Sequence, residues 1–127
     1  MKNKVVYICS PFRAVGNDPE TEMARNIELA KRVCKSAVEK GYVVFCPHLF
    51  YPQFLDDAHD RERELGMATG LKELELADEL WVVGNRISEG MSCEISRAGE
   101  LGIPTICVCD PMVAEERLLD AVLSERK

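Results

Sequence analysis

The stretch that decides the fold reads Leu80-Trp81-Val82-Val83-Gly84-Asn85-Arg86-Ile87-Ser88-Glu89-Gly90-Met91-Ser92-Cys93-Glu94-Ile95. A short apolar run ends in Gly84-Asn85, a turn signal. Beyond the turn Ile95, Ala98 and Leu101 recur at helical spacing, and Gly102 and Pro104 close the pattern. The segment is therefore strand, polar turn, helix. Glu94 falls in the first turns of that helix, where unpaired backbone N–H groups favour a negative charge. A carboxylate so placed suits a nucleophile or an electrostatic stabiliser. The same placement also follows from the ordinary preference of acids for helix starts.

The same alternation extends through the chain. Val5 to Cys9 is β-branched and apolar on both sides, the pattern of a central parallel strand covered on both faces. Ser10 to Asn17 is a loop with Pro11, Arg13 and Gly16. Asp18-Pro19-Glu20 then announces a helix, with Asp as N-cap and Pro at the first helical position. Met23, Ile27, Ala30, Cys34 and Ala37 form its apolar face, and Gly41 ends it. Tyr42 to Cys46 is a second strand, stopped by Pro47. Residues 47–59 form a long loop rich in aromatics and prolines, either lining a pocket for a flat ring or forming a subunit interface.

From about Asp60 a helix runs to Ala77, with Leu65, Leu71 and Leu74 as its buried side. Gly66 and Gly70 inside it cost about 1 kcal/mol each against alanine, which points to close packing against a neighbouring backbone. Asp78 to Val83 is the third strand, residues 90–101 the next helix, Thr105 to Cys109 the fourth strand, and Pro111 to Ser124 a last helix. The β-α-β-α-β-α-β-α order gives an α/β fold: a doubly wound parallel sheet of four to five strands, a flavodoxin/Rossmann-like three-layer sandwich. Ligands of such sheets bind beyond the carboxyl ends of the strands. Arg13, His48 and the Glu94 stretch all fall on that edge.

The chain has 127 residues, 46% of them apolar, and a net charge of −6. That is the length of one domain, residues 1–127, and enough for a core. The acidic balance argues against a partner that is a nucleic acid polymer. No run of about eighteen apolar residues is present, so no membrane span is expected. The N-terminal apolar run is too short for a signal peptide, and a cytoplasmic protein is expected. None of the six cysteines has C-x-x-C spacing, and most fall inside predicted strands or helices as small apolar residues. Cys107 and Cys109 share a strand face, without the setting of a redox pair. Neither a metal nor a cofactor is expected.

Two segments resemble a known family. Tyr7-Ile8-Cys9-Ser10-Pro11-Phe12-Arg13 is similar to the opening strand and loop of the nucleoside 2-deoxyribosyltransferase superfamily, and Ser88-x-Gly90-x-x-x-Glu94 to its second motif. The resemblance extends over nearly the full chain, with a middle loop like that of an uncharacterised branch. It implies that Glu94 attacks the anomeric carbon of a nucleoside sugar and that Tyr7 orients the carboxylate. Such transferases carry an acid at the position of Ser88. The related deoxynucleoside 5′-monophosphate N-glycosidase has a serine there and an arginine matching Arg13. With Arg13, Ser88 and the amides of Gly90 and Met91 as a phosphate cradle, a nucleoside monophosphate is the expected partner. Arg13 as a solvent-exposed loop residue is the alternative. Ser10 and His48 complete the candidate binding set. Gly70 stands where the N-glycosidase has a sugar-binding aspartate, and Asp56, Asp57 or Asp60 are candidate replacements. The resemblance also implies a homo-oligomer with sites completed by a neighbour, for which Asp110-Pro111-Met112 is a candidate contributor.

Three functions are therefore in view: cleavage or transfer at an N-glycosidic bond; nucleotide sensing without catalysis; and an unrelated phosphate-binding role on the same architecture. The pairing of Tyr7 with Glu94 favours the first. The chain lacks G-x-G-x-x-G and any acidic phospho-acceptor cluster, which weighs against the third.

Overall fold

The computed structural model of the chain describes residues 4–11, 18–56, 58–84 and 87–108. Strands β1 (Val5–Cys9), β2 (Val43–Phe45), β3 (Glu79–Val83) and β4 (Thr105–Val108) form one parallel sheet in the order β2-β1-β3-β4. Helices α1 (Pro19–Glu39), α2 (Pro47–Phe50), α3 (Asp60–Leu74) and α4 (Glu89–Leu101) lie between the strands, and a 3-10 turn covers Tyr51–Gln53. The expected last helix and Cys109 lie outside the described residues.

The period-2 alternation of side chains divides the strands between two cores. Val6 and Ile8 of β1 and Trp81 and Val83 of β3 pack with Val33 and Ala37 of α1. Tyr7 and Cys9 of β1 and Leu80 and Val82 of β3 pack on the opposite face with Leu74 of α3 and Met91 and Ala98 of α4. The sheet is thus covered on both faces, giving three layers, and the expected α/β class is observed. Every residue of β3 is buried. That includes Glu79, whose carboxylate accepts from Trp81 Nε1 at 3.0 Å and lies 3.6 Å from Lys4 Nζ. Asp78 fastens the start of the sheet, since its Oδ2 accepts from Val5 N at 2.8 Å.

Helix ends follow the sequence signals. Asp18 caps α1, accepting from Thr21 N, with Pro19 at the first position. Gly102 ends α4 at φ 72°, a left-handed conformation that glycine adopts without a Cβ clash.

Four expectations change. The buried side of α1 is Ala30, Val33 and Ala37; Met23, Ile27 and Cys34 are only half-buried. On α3, which stops at Leu74 rather than Ala77, Leu65 is 48% exposed, because the helix turns its glycines inward instead. Gly66 and Gly70 do mark close packing, but against the side chains of Leu55, Tyr51, Tyr7 and Pro47 rather than a backbone. The segment after Pro47 is not an open loop, since it coils into α2 and the 3-10 turn.

The two leucines of α3 give a test of this face. Leu74→Ala should lower the unfolding free energy by about 2–5 kcal/mol, because the side chain is fully buried. Leu65→Ala should change it by less than about 0.5 kcal/mol. Urea denaturation of the two variants measures both.

Candidate active site

The central feature is a carboxylate from α4 brought onto β1. Glu94 is 4% exposed. Its Oε2 accepts a hydrogen bond from the Tyr7 hydroxyl. Its Oε1 accepts from the Cys9 thiol at 3.4 Å and lies 3.0 Å from His48 Nε2. A ring nitrogen facing a carboxylate oxygen at that distance must carry the proton. Three side chains from two elements thus converge on one carboxylate.

Local sequence explains each position. Tyr7 points toward α3 and α4 because it shares parity with Cys9 rather than with Val6 and Ile8. Glu94 is directed at it because α4 is anchored through Met91, also on the inner face. His48 follows Pro47, which opens α2 at the carboxyl end of β2 and so carries the imidazole to the same sheet edge. On the far side α3 presents bare backbone at Gly70, where a Cβ would lie 3.1 Å from the Tyr7 hydroxyl and 3.4 Å from the Pro47 ring.

The electrostatics follow from burial and this carboxylate. Burial, and next the Glu94 carboxylate, push the Tyr7 hydroxyl far above its ordinary range, so it remains a neutral donor. The same two causes, in the same order, raise the Cys9 thiol. Partial burial and the bond to Glu73 push the Tyr51 hydroxyl up to about 12.

A solvent-open cleft of about 540 Å³ leads outward from Glu94. Pro47, His48, Tyr51, Pro52 and Leu55 form one wall; Arg63, Gly66, Met67 and Gly70 of α3, beside Glu62, form the other. The aromatic segment therefore divides. Tyr51 faces the cleft, with its hydroxyl donating to Glu73 Oε1 at 2.7 Å, while Phe50 and Phe54 are 56% and 60% exposed.

The sequence-derived residues are placed as follows. Tyr7, His48 and Glu94 meet. Ser10 is buried at the end of β1, with its Oγ lacking a partner among the described residues. Ser88 is the N-cap of α4 and its Oγ accepts from Met91 N at 3.2 Å, so that amide is already engaged. The Met91 side chain belongs to the core, and Gly90 lies beside Met67, whose Cε a Cβ there would approach to 3.3 Å. Arg13, Asp57 and Asp110-Pro111-Met112 lie outside the described residues. Asp56 and Asp60 do not line the cleft, and Asp56 Oδ1 instead accepts from Ala58 N at 2.9 Å. Sequence reasoning missed Cys9, Arg63 and Met67, whereas Tyr51 belongs to the aromatic stretch for which pocket lining was one of two expectations. The two glycines inside α3 were the available signal for that wall. Among the described residues no group of three His, Cys, Asp or Glu side chains is placed to hold a metal ion, and no helix is long and apolar enough to cross a membrane.

This architecture is that of a solved deoxyribosyltransferase. A 2-deoxyribosyltransferase from the psychrotolerant bacterium Bacillus psychrosaccharolyticus is similar over 81% of this chain and 70% of its own, with a TM-score of 0.59 and 21% identity. Likeness at that identity establishes the fold. The chain belongs to the family described as Domain of unknown function (DUF7768), whose model matches residues 4–108. No curated protein matches it.

Tyr7 supplies a pH test. The folded chain keeps a proton that the unfolded chain releases above its ordinary value of 10.0. Its stabilisation is therefore complete below about pH 10 and declines as the pH rises past it. The wild type should lose about 1.4 kcal/mol more per pH unit above that point than Tyr7→Phe. Urea unfolding at stepped alkaline pH measures the difference in slope.

Proposed function

We propose that the chain cleaves or transfers the N-glycosidic bond of a nucleoside or nucleotide, with Glu94 as the nucleophile. The observation that carries this reading is the buried Glu94 carboxylate held by Tyr7 at the head of an open cleft. A carboxylate oxygen of Glu94 forms a bond to the anomeric carbon as the C–N bond breaks. The base departs with the bonding electrons and takes up a proton. Water, or a second base in a transferase, then attacks the same carbon and frees the carboxylate. Both steps pass through an oxocarbenium-like state that the carboxylate stabilises.

Tyr7 and Cys9 fix the plane of the carboxylate by donating to different oxygens. His48 reaches Oε1 from the cleft wall, the side on which substrate would lie. With two donors on Oε1 and one on Oε2, the open lone pair for attack is on Oε2. No cofactor or metal takes part in this scheme. Cys9, Cys34, Cys46 and Cys93 are free thiols, which suits a reducing cytoplasm.

A 5′-monophosphate is the preferred substrate in this reading. The support is the buried Ser10 Oγ at the end of β1 and Ser88 and Gly90 at the start of α4, together with Arg13 three residues after Ser10 in the sequence. A phosphate there would gain charge-assisted bonds and compete for the Met91 amide that Ser88 now holds. The second reading, a nucleotide sensor without turnover, is favoured by one observation: Gly70 in place of the acid that the resembled N-glycosidase carries.

Incubating the protein with deoxynucleosides and their 5′-monophosphates, and following free base by chromatography, tests both. Base should be released faster from the monophosphates, and Glu94→Ala should abolish release while retaining ligand affinity by calorimetry. Unchanged turnover in Glu94→Ala would end the nucleophile assignment. Equal handling of nucleoside and monophosphate would remove the phosphate preference. Ligand affinity without any release would establish the sensor.

We also propose a homo-oligomer, supported by the exposed Phe50 and Phe54, which pack edge to face at 5.3 Å beside the cleft. Sedimentation velocity at micromolar concentration should show a species larger than one chain, and Phe50→Ser with Phe54→Ser should shift it toward the monomer. A wild-type monomer would refute the assembly.

A further inference from the structure

Helix α3 turns Arg63, Gly66, Met67 and Gly70 toward the cleft, the i, i+3, i+4, i+7 spacing of one helix face. The face has a direction. Gly70 is its inner end, against the Tyr7 hydroxyl. Arg63 is seven residues nearer the helix start, roughly 10 Å further along the wall at about 1.5 Å per residue. Between them Gly66 is bare, and a Cβ there would lie 3.5 Å from Leu55 Cδ1 and 3.9 Å from Tyr51 Cβ on the facing wall. Tyr51 is held in place by its bond to Glu73. The result is a slot with apolar walls that begins at Glu94 and ends at a guanidinium.

That guanidinium has no acidic partner among the described residues. Glu62, beside it, accepts from Asp56 N at 3.1 Å and lies 3.8 Å from His59 Nδ1. Glu94 is engaged by Tyr7, Cys9 and His48. An arginine at the mouth of an apolar slot, with its donors uncommitted, is suited to read acceptors on whatever lies there.

We propose that Arg63 selects the base, favouring one whose outer edge carries acceptor atoms: an oxo-purine, through its six-position oxygen and N7, or an oxo-pyrimidine, through its four-position oxygen. This rests on the reading of Glu94 as the nucleophile, with the sugar's 5′ end toward Ser88 and Gly90. An anomeric carbon about 3 Å from the carboxylate leaves roughly 7 Å of slot for the base. Arginine contacts two acceptors at once on an oxo-purine edge. An amino-purine presents one acceptor and one N–H donor there, and the donor meets only donors. A well-placed bidentate contact of this kind discriminates about ten- to a hundredfold.

The test is calorimetric titration of the wild type and of Arg63→Met with three probes: deoxyguanosine monophosphate, deoxyadenosine monophosphate and 2-deoxyribose 5-phosphate. Arg63 is exposed, and methionine keeps an apolar stem without donors, so unchanged thermal melting verifies the variant's fold. The wild type should bind the guanine nucleotide about ten- to a hundredfold more tightly than the adenine nucleotide. Arg63→Met should erase that preference and leave the sugar phosphate unaffected. Equal wild-type affinity for the two nucleotides, with base still released, would overturn the base-selection proposal alone. Weaker binding of the sugar phosphate to Arg63→Met would overturn it by assigning Arg63 to the phosphate. No binding of either nucleotide would overturn it together with the reading on which it rests.

Discussion

Everything near the cleft depends on keeping one carboxylate out of water. Moving such a group from solvent into a protein costs several kcal/mol unless other groups replace its hydration. Glu94 receives that replacement from the Tyr7 hydroxyl, the Cys9 thiol and the His48 ring. The requirement accounts for features that a plain parallel-sheet core would not need. A tyrosine and a cysteine occupy the inner face of β1, where Val6 and Ile8 suffice on the other face. Pro47 starts a short helix directly at the end of β2, which places the imidazole. Helix α4 is anchored by Met91 one turn before Glu94, so the carboxylate meets donors already set in the sheet. The two donors from β1 are held neutral by the same burial that makes them necessary.

Helix α3 shows how the fold balances stability against the site. Two glycines in its interior forgo about 1 kcal/mol each in helix propensity. In return the helix approaches closely enough to wall a cleft without filling it. The cleft's opposite wall is short, α2 and a 3-10 turn, and such a segment has little stability of its own. The Tyr51 hydroxyl on Glu73 and the Asp56 amide on Glu62 tie it back to α3 at two points. The walls are thus linked to each other as well as to the sheet. Phe50 and Phe54, on the outer side of the same segment, contact each other rather than the core.

The sheet and the major helices were legible because their signals are local and periodic. β3 is an uninterrupted apolar run with one buried acid, α1 has an Asp-Pro cap, and α4 ends in glycine. The pairing of Tyr7 with Glu94 was accessible only through the resemblance, since 87 residues separate them and no spacing rule joins them. Cys9 was read as a small apolar residue, and by burial it is one; its bond to Glu94 depends on the three-dimensional path of α4. The coil of residues 47–53 was hidden because two prolines and two aromatics read as loop composition, whereas proline is also favoured at the first turn of a helix. Leu65 misled because α3 carries little amphipathic pattern: its inner face is made of glycines, which a hydrophobic template does not count.

Gly70 joins these points. A Cβ at Gly70 would lie 3.1 Å from the Tyr7 hydroxyl and 3.4 Å from the Pro47 ring. The bare backbone of α3 and the prolyl turn thus face each other across the inner end of the cleft. The residue that Pro47 positions is His48, whose Nε2 touches the carboxylate that the reading assigns to catalysis. An imidazole N–H at this place bonds to Glu94, where a carboxylate would repel it. Any ligand hydroxyl that accepted from this ring would share the donor with Glu94, so ligand contact and carboxylate orientation are coupled through a single ring.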